Sequence, residues 1–254
     1  MRTLGLSLTL AISLGAGISA FAQSTPPAVN KPATPSGNQP APLAVSDAPP
    51  TVNPAWKAPE VIEFIGVKKG DKIAEVVAGR LTASLAQAVG PSGKVYAIEP
   101  AEVAKAHPEA LARVKALATR LPNVIVSQDP IGSPLPSGLD AVFIRQNYHD
   151  LYDKFMGPAD VPAFNKAVFA ALKPGGVYVV LDHAAKAGSG ISATETLHRI
   201  DPARVKADVQ AAGFKVDGES SILANKDDDH TKSVFDPTIR FQTDQFLIRF
   251  KKPN

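Results

Sequence analysis

The sequence predicts an α/β domain built on a doubly wound, mostly parallel sheet. From Pro59 onwards, short β-branched-rich apolar runs alternate with segments of helical period, the pattern of strands covered by helices on both faces. The runs are apolar at successive positions rather than at every second one, as strands buried on both sides require. After Gly213 the rhythm breaks, and two strand-like runs, Phe214–Leu223 and Phe241–Phe250, are joined only by a polar, turn-rich connection.

In chain order, Pro59–Gly66 comes first, a helix with Val61, Ile62 and Ile65 on one face and Gly66 at its end. Lys72–Val77 is the first predicted strand, and Leu81–Val89 is the helix that returns from it. Lys94–Ile98, Asn123–Ser127, Leu139–Ile144 and Gly176–Leu181 are further strands, bounded by Gly, Pro or Asp. Pro108–Leu121 opens with Pro108 and Glu109, residues suited to a helix N-terminus, and Val161–Leu172 repeats the 3.6-residue spacing. Pro202–Ala212 has Asp201 as its N-cap and Gly213 as its stop.

Trp56 marks the start of the domain, 56–254. Residues 1–22 read as a cleavable export signal, because Arg2 precedes an uncharged Leu/Ile/Ala/Gly-rich run from Leu4 to Ala20 that closes on Ala20-Phe21-Ala22. Residues 23–55 are Pro, Ala, Ser, Thr and Asn with hardly any large apolar side chain. Such a segment cannot offset its ordering entropy, so it reads as a disordered or polyproline-like tether, available to an envelope partner. The expected location is periplasmic or secreted, with no membrane span once the signal is cut. Removing Arg2 with the signal leaves 26 of the 27 basic residues against 24 acidic ones, a net of +2. That balance, with no basic run longer than Lys68-Lys69 or Lys251-Lys252, argues against a nucleic-acid partner. The absence of cysteine excludes disulfides, thiolate metal ligands and a thiol nucleophile.

In an open α/β sheet, ligands bind at the carboxyl ends of the strands. There the chain reads Glu75-Val76-Val77-Ala78-Gly79-Arg80-Leu81-Thr82 after the first strand and Glu99-Pro100 after the second. This order resembles the cofactor half of class I S-adenosylmethionine-dependent methyltransferases. The resemblance runs from about Trp56 to Pro253 and extends to a group of exported predicted methyltransferases. It is carried further by Val89-Gly90-Pro91-Ser92-Gly93, Gln146-Asn147-Tyr148-His149-Asp150, Leu172-Lys173-Pro174-Gly175-Gly176, Leu197-His198-Arg199-Ile200-Asp201 and Thr243-Asp244-Gln245-Phe246.

The resemblance implies a seven-stranded Rossmann-like sheet whose last two strands form an antiparallel hairpin at one edge. It implies S-adenosylmethionine as cofactor and a small molecule as methyl acceptor. Glu75 would hold the acidic position before the glycine loop, with Ala78 and Gly79 beside the cofactor. Glu99 would accept hydrogen bonds from both ribose hydroxyls, Asp129 would sit near the adenine, and Asn147 would complete the cofactor set. The family's loop usually reads acidic-x-Gly-x-Gly-x-Gly, whereas here Val77 and Leu81 replace two of the glycines and the loop shortens before Thr82. Branched side chains at those positions are expected to narrow the cofactor channel. The alternative reading is therefore a non-catalytic binding or structural module that keeps the fold and has lost the donor.

On the acceptor side, Asn147-Tyr148-His149-Asp150 differs from the Asn-Pro-Pro-Tyr loops of amino-group methyltransferases, so a planar nitrogen acceptor is not supported. His149 follows the fourth strand directly and has Asp150 or Asp182 within reach to orient it, which makes it the candidate general base. Tyr148 and His183 complete the catalytic set. The same residues also read as hydrogen-bonding groups that hold the loops in place. His198 belongs to the turn before Asp201, where a structural role is expected. Neither His–Asp pair has ligand spacing on one element, so no metal is expected. Asp227-Asp228-Asp229-His230 lacks the alternation and glycine of a calcium loop and reads as a solvated acidic loop. No Gly-x-Ser-x-Gly elbow accompanies the histidines, which argues against a hydrolase.

Overall fold

The computed structural model describes residues 53–254; the predicted signal and the linker up to residue 52 lie outside the described residues. The described chain opens on a 3-10 turn, Pro54–Trp56, in which Asn53 Oδ1 accepts from the amide of Ala55 at 2.9 Å. Among the described residues no helix is long and apolar enough to cross a membrane.

Seven strands form one sheet: β1 (Lys72–Val76), β2 (Lys94–Ile98), β3 (Val124–Ser127), β4 (Leu139–Arg145), β5 (Leu172–His183), β6 (Lys215–Ser220) and β7 (Gln245–Lys251). Their order is β3-β2-β1-β4-β5-β7-β6, with β1 to β5 parallel and β7 antiparallel to both its neighbours. The chain runs outward from β1 to β3 and returns to β4. The carboxyl ends of β1 and β4 therefore flank the switch point where such sheets take their ligands.

Side-chain alternation splits the core into two layers. Ile73, Val95, Ala97, Phe143 and Val179 face α1 (Ala58–Ile65), α2 (Thr82–Val89) and Val114 of α4 (Pro108–Ala118). Ala74, Val76, Val142, Ile144 and Val180 face α5 (Val161–Ala171) and α7 (Pro202–Ala211). Asp201 caps α7 as predicted, accepting from the amide of Ala203 at 2.9 Å.

The differences from the sequence expectation sit at element ends. The strand predicted over Gly176–Leu181 extends to Leu172–His183, its proline accommodated where the pairing with β4 shifts register between Leu139 and Ala141. The helices Ala101–Ala106 (α3) and Thr194–Leu197 (α6) were not expected; neither is long enough to show a period. No helix joins β3 to β4.

Candidate functional site at the carboxyl ends of the strands

Alternation along β1 sends Glu75 to the same layer as Ile73, where it is buried. Its carboxylate accepts from the amide of Leu81 at 3.2 Å, from the Thr82 hydroxyl, and from the amide of Gly79 at 3.5 Å. The Gly79 amide also donates to Thr82 Oγ1 at 2.9 Å. Glu75 thus caps the start of α2, where Leu81 supplies no side-chain cap and negative charge is favoured. Burial pushes the Glu75 carboxyl up, against the pull of Thr82 and the loop amides.

The residues standing in for the missing glycines behave differently from each other. Leu81 is fully buried in the α1–α2 layer and so belongs to the core, not to a channel wall, which corrects that half of the expectation. Val77 has φ +55°, a left-handed conformation that a β-branched residue rarely adopts. Its backbone makes the turn that a glycine would make. Gly79 has φ +132°, and a Cβ there would lie 3.4 Å from Val114 Cγ2.

Glu99, directly after β2, is fully buried, and neither carboxylate oxygen has a hydrogen-bond partner among the described residues. Burial, with the neighbouring Glu75 charge adding to it, raises its pKa to about 7. Its amide donates to Ser127 O at 2.9 Å, and the amide of Ala101 donates to Asp129 O at 3.2 Å, which ties the turn after β2 to the end of β3. Asp129 Oδ2 accepts from Ser127 Oγ at 2.6 Å. Asp129 lines a mainly apolar cavity of about 370 Å³ shared with Ile98, Pro100, Ile125 and Phe164. These backbone bonds bring the turns that carry Glu99 and Asp129 to one end of the sheet, although Glu99 itself does not line the cavity. Ala78, whose amide donates to Ile98 O at 3.2 Å, links the β1 loop to the same corner.

At the end of β4, Gln146 also has a left-handed backbone, φ +56°. Its Oε1 accepts from Arg80 Nη1 at 2.8 Å and from Arg145, and its Nε2 donates to Gln245 Oε1 at 2.8 Å. This one amide joins the loop after β1 to β4 and β7. The guanidinium groups of Arg80 and Arg145 lie 5.7 and 5.3 Å from the ring centre of Trp56, within cation–π range.

The predicted catalytic residues divide. Tyr148 is fully buried in the α5–α7 layer, and its hydroxyl accepts from Asn165 Nδ2 at 2.8 Å, so it is a core residue. Asn147 Nδ2 donates to Asp150 Oδ2 at 2.6 Å, which ties it to the histidine cluster. His149 is buried, with Nδ1 2.8 Å from Asp182 Oδ1 and Nε2 3.1 Å from Asp150 Oδ1. Asp182 also accepts from the amides of His149 and His183, at 2.8 and 2.7 Å. Burial pulls the His149 pKa down, but Asp182 and Asp150 outweigh it and hold it at about 10. A carboxylate oxygen lies within 3.1 Å of each ring nitrogen, so both nitrogens are engaged within the protein. His183 shares a 2.7 Å hydrogen bond with Thr243 Oγ1, and burial keeps it neutral, well below the usual histidine range.

Two further residues meet His149 without having been singled out for it. His198 Nδ1 lies 3.3 Å from His149 Nε2, and Asp153 Oδ2 lies 4.0 Å from His198 Nδ1. Asp150 lies in the 3-10 turn His149–Tyr152 and Asp153 follows it directly with an extended backbone; their closeness in sequence was the available signal. His198 arrives from a turn 49 residues further on, so its approach leaves no mark in local spacing. The acidic segment also departs from expectation: Asp228 is buried and pairs with fully buried Arg199 at 2.9 Å, while Asp227 and Asp229 are exposed.

The strand order, the switch point and the acidic residue closing β2 together define the class I S-adenosylmethionine-dependent methyltransferase fold. No family model matches the chain, and no curated protein matches its sequence. Solved structures share the fold. A SAM-dependent methyltransferase from Aquifex aeolicus is 20% identical over 76% of this chain and 88% of its own, with a TM-score of 0.54. Aeropyrum pernix fibrillarin with natively bound S-adenosyl-L-methionine is 16% identical over 77% and 76%, with a TM-score of 0.50. A possible exported protein from Bordetella parapertussis is 15% identical over 79% and 67%, with a TM-score of 0.51.

Proposed function

We propose that the chain is an exported S-adenosylmethionine-dependent methyltransferase-like protein acting on a small-molecule acceptor. The observation that carries this is Glu99, a buried carboxyl with two unpartnered oxygens at the end of β2. An unpaired buried acceptor costs free energy, and a vicinal diol such as a ribose would relieve that cost by donating to both oxygens. Val77, strained into the backbone turn of the missing glycine, supports the same reading, since such strain persists where the surroundings enforce it. Glu99 would hold the ribose and Asp129 would border the adenine; the cofactor would supply an electrophilic methyl group. Toward the acceptor, His183 would present a neutral ring as a hydrogen-bonding group, and Gln146 holds the surrounding loops in register.

Export is supported by the Arg2–Ala22 pattern. Because the donor is made in the cytoplasm, the same pattern favours the alternative, a binding or structural module without the donor. The internal pairing of the Gly79 and Leu81 amides with Glu75 and Thr82 also favours it, since those amides are no longer free for a ligand. Calorimetric titration with S-adenosylmethionine and its demethylated product separates the two. Binding that Glu99→Gln weakens supports the enzyme; no heat and no thermal shift at millimolar ligand supports the module.

A further inference from the structure

We propose that His149, Asp150, Asp153 and His198 form a closed site for a divalent transition ion, zinc by preference, that pins the turn after β4 to the turn before α7. One ligand atom from each of the four lies within 4.8 Å of all the others. His149 Nε2 is 3.1 Å from Asp150 Oδ1 and 3.3 Å from His198 Nδ1, and His198 Nδ1 is 3.7 Å from Asp150 Oδ1 and 4.0 Å from Asp153 Oδ2. Zinc bonds of about 2.0–2.1 Å in a tetrahedron set neighbouring ligand atoms about 3.3 Å apart. The closest pairs already stand at that spacing, and the widest, at up to 4.8 Å, would have to close by about 1.5 Å, within reach of side-chain rotation.

The surroundings are those of a metal centre. His149 presents Nε2 inward because Nδ1–H donates to Asp182 at 2.8 Å, and Asp182 is fixed in turn by the amides of residues 149 and 183. A carboxylate behind a histidine in this way fixes the ring and raises its basicity toward a metal. Asp150 uses its other oxygen on Asn147, at 2.6 Å. His198 is held inward by a left-handed backbone, φ +54°, with the Phe235 ring 4.8 Å away.

An ion-pair network alone explains less. The pairs of His149 with Asp150 and Asp182 account for one imidazole and two carboxylates. The contacts of His198 Nδ1 with Asp150 and Asp153, at 3.7 and 4.0 Å, are too long for hydrogen bonds, and Asp153 stays buried with Oδ1 unpartnered. Two imidazoles with two carboxylates suit zinc better than magnesium or calcium, which prefer all-oxygen sites. With four protein ligands, three of them buried, the site is of the structural type.

The test is zinc(II) titrated into the chelator-stripped full chain. Saturable binding of one equivalent, with a rise in Tm, is expected. His198→Ala and Asp153→Asn, compared at matched circular dichroism, should lose it. Asp182→Asn, which leaves the four ligands in place, should weaken zinc by about 10- to 100-fold. Cobalt(II) in place of zinc should give visible d–d absorption in the wild type and none in His198→Ala. No saturable zinc binding by the folded wild type, or unchanged affinity in His198→Ala, overturns the site. The proposal does not depend on the methyl-donor reading, which the separate S-adenosylmethionine titration tests.

Discussion

Glu75 and Glu99 sit at the ends of adjacent strands, both buried and each other's electrostatic neighbour, yet they are opposites. Glu75 is saturated by the loop it follows, with two amides and one hydroxyl donating to it. Glu99 has no donor in hydrogen-bond geometry among the described residues; the nearby Ala78 amide, already donating to Ile98 O, only partly favours its charged form. The first carboxylate builds the corner; the second is left for something the chain does not provide. The loop after β1 is eroded as a cofactor motif and rebuilt as a packed cap, while the turn after β2 keeps an acceptor in waiting.

The sharpest way to break this contrast is to remove the packing that the β1 loop has gained. Leu81→Ala should cost about 2–5 kcal/mol in urea unfolding, as for a buried leucine in a core; a loss well under 1 kcal/mol would return Leu81 to a channel wall. Next in size is Glu75→Ala, which strands the Leu81 amide and the Thr82 hydroxyl and should cost about 2–3 kcal/mol, measured the same way.

Glu99→Gln should act in the opposite direction. Its folded pKa of about 7 lies above the ordinary 4.5, so the folded state binds the proton more tightly than the unfolded one. Stability is then fully present below pH 4.5 and falls as pH rises toward 7. The glutamine variant should be more stable than wild type by about 1–3 kcal/mol above neutral pH, with the gain vanishing in acid. Paired melts across that range give the answer. The smallest effect belongs to Val77→Gly, where relief of about 1 kcal/mol of left-handed strain offsets a partly buried side chain. Tm should move little, and any donor affinity should be kept.

Most of the fold was legible because its signals are local. Apolar runs such as Lys94–Ile98 coincide with the observed strand, and Asp201 and Gly213 bound a helix through their own chemistry. What was lost at the ends, the extra residues of β5 and the short α3, depends on pairing with neighbours that no window contains. The strand-end positions of Glu99 and Asp129 were legible because topology fixes them. The site was not legible where side-chain direction decides. Tyr148 and His149 are adjacent, yet one hydroxyl turns into the core toward Asn165 and the other ring turns toward Asp182. His198 joins His149 only through tertiary contact, whereas Asp153 follows directly after the short turn that carries His149.

The central claim is that Glu99 is an acceptor awaiting two hydroxyl donors, and the most direct measurement is calorimetric titration of the demethylated cofactor product into wild type and Glu99→Gln. Saturable binding by wild type, weakened about 10- to 100-fold in the variant, is the predicted result. No binding by wild type at millimolar ligand, or equal binding by both proteins, would contradict it.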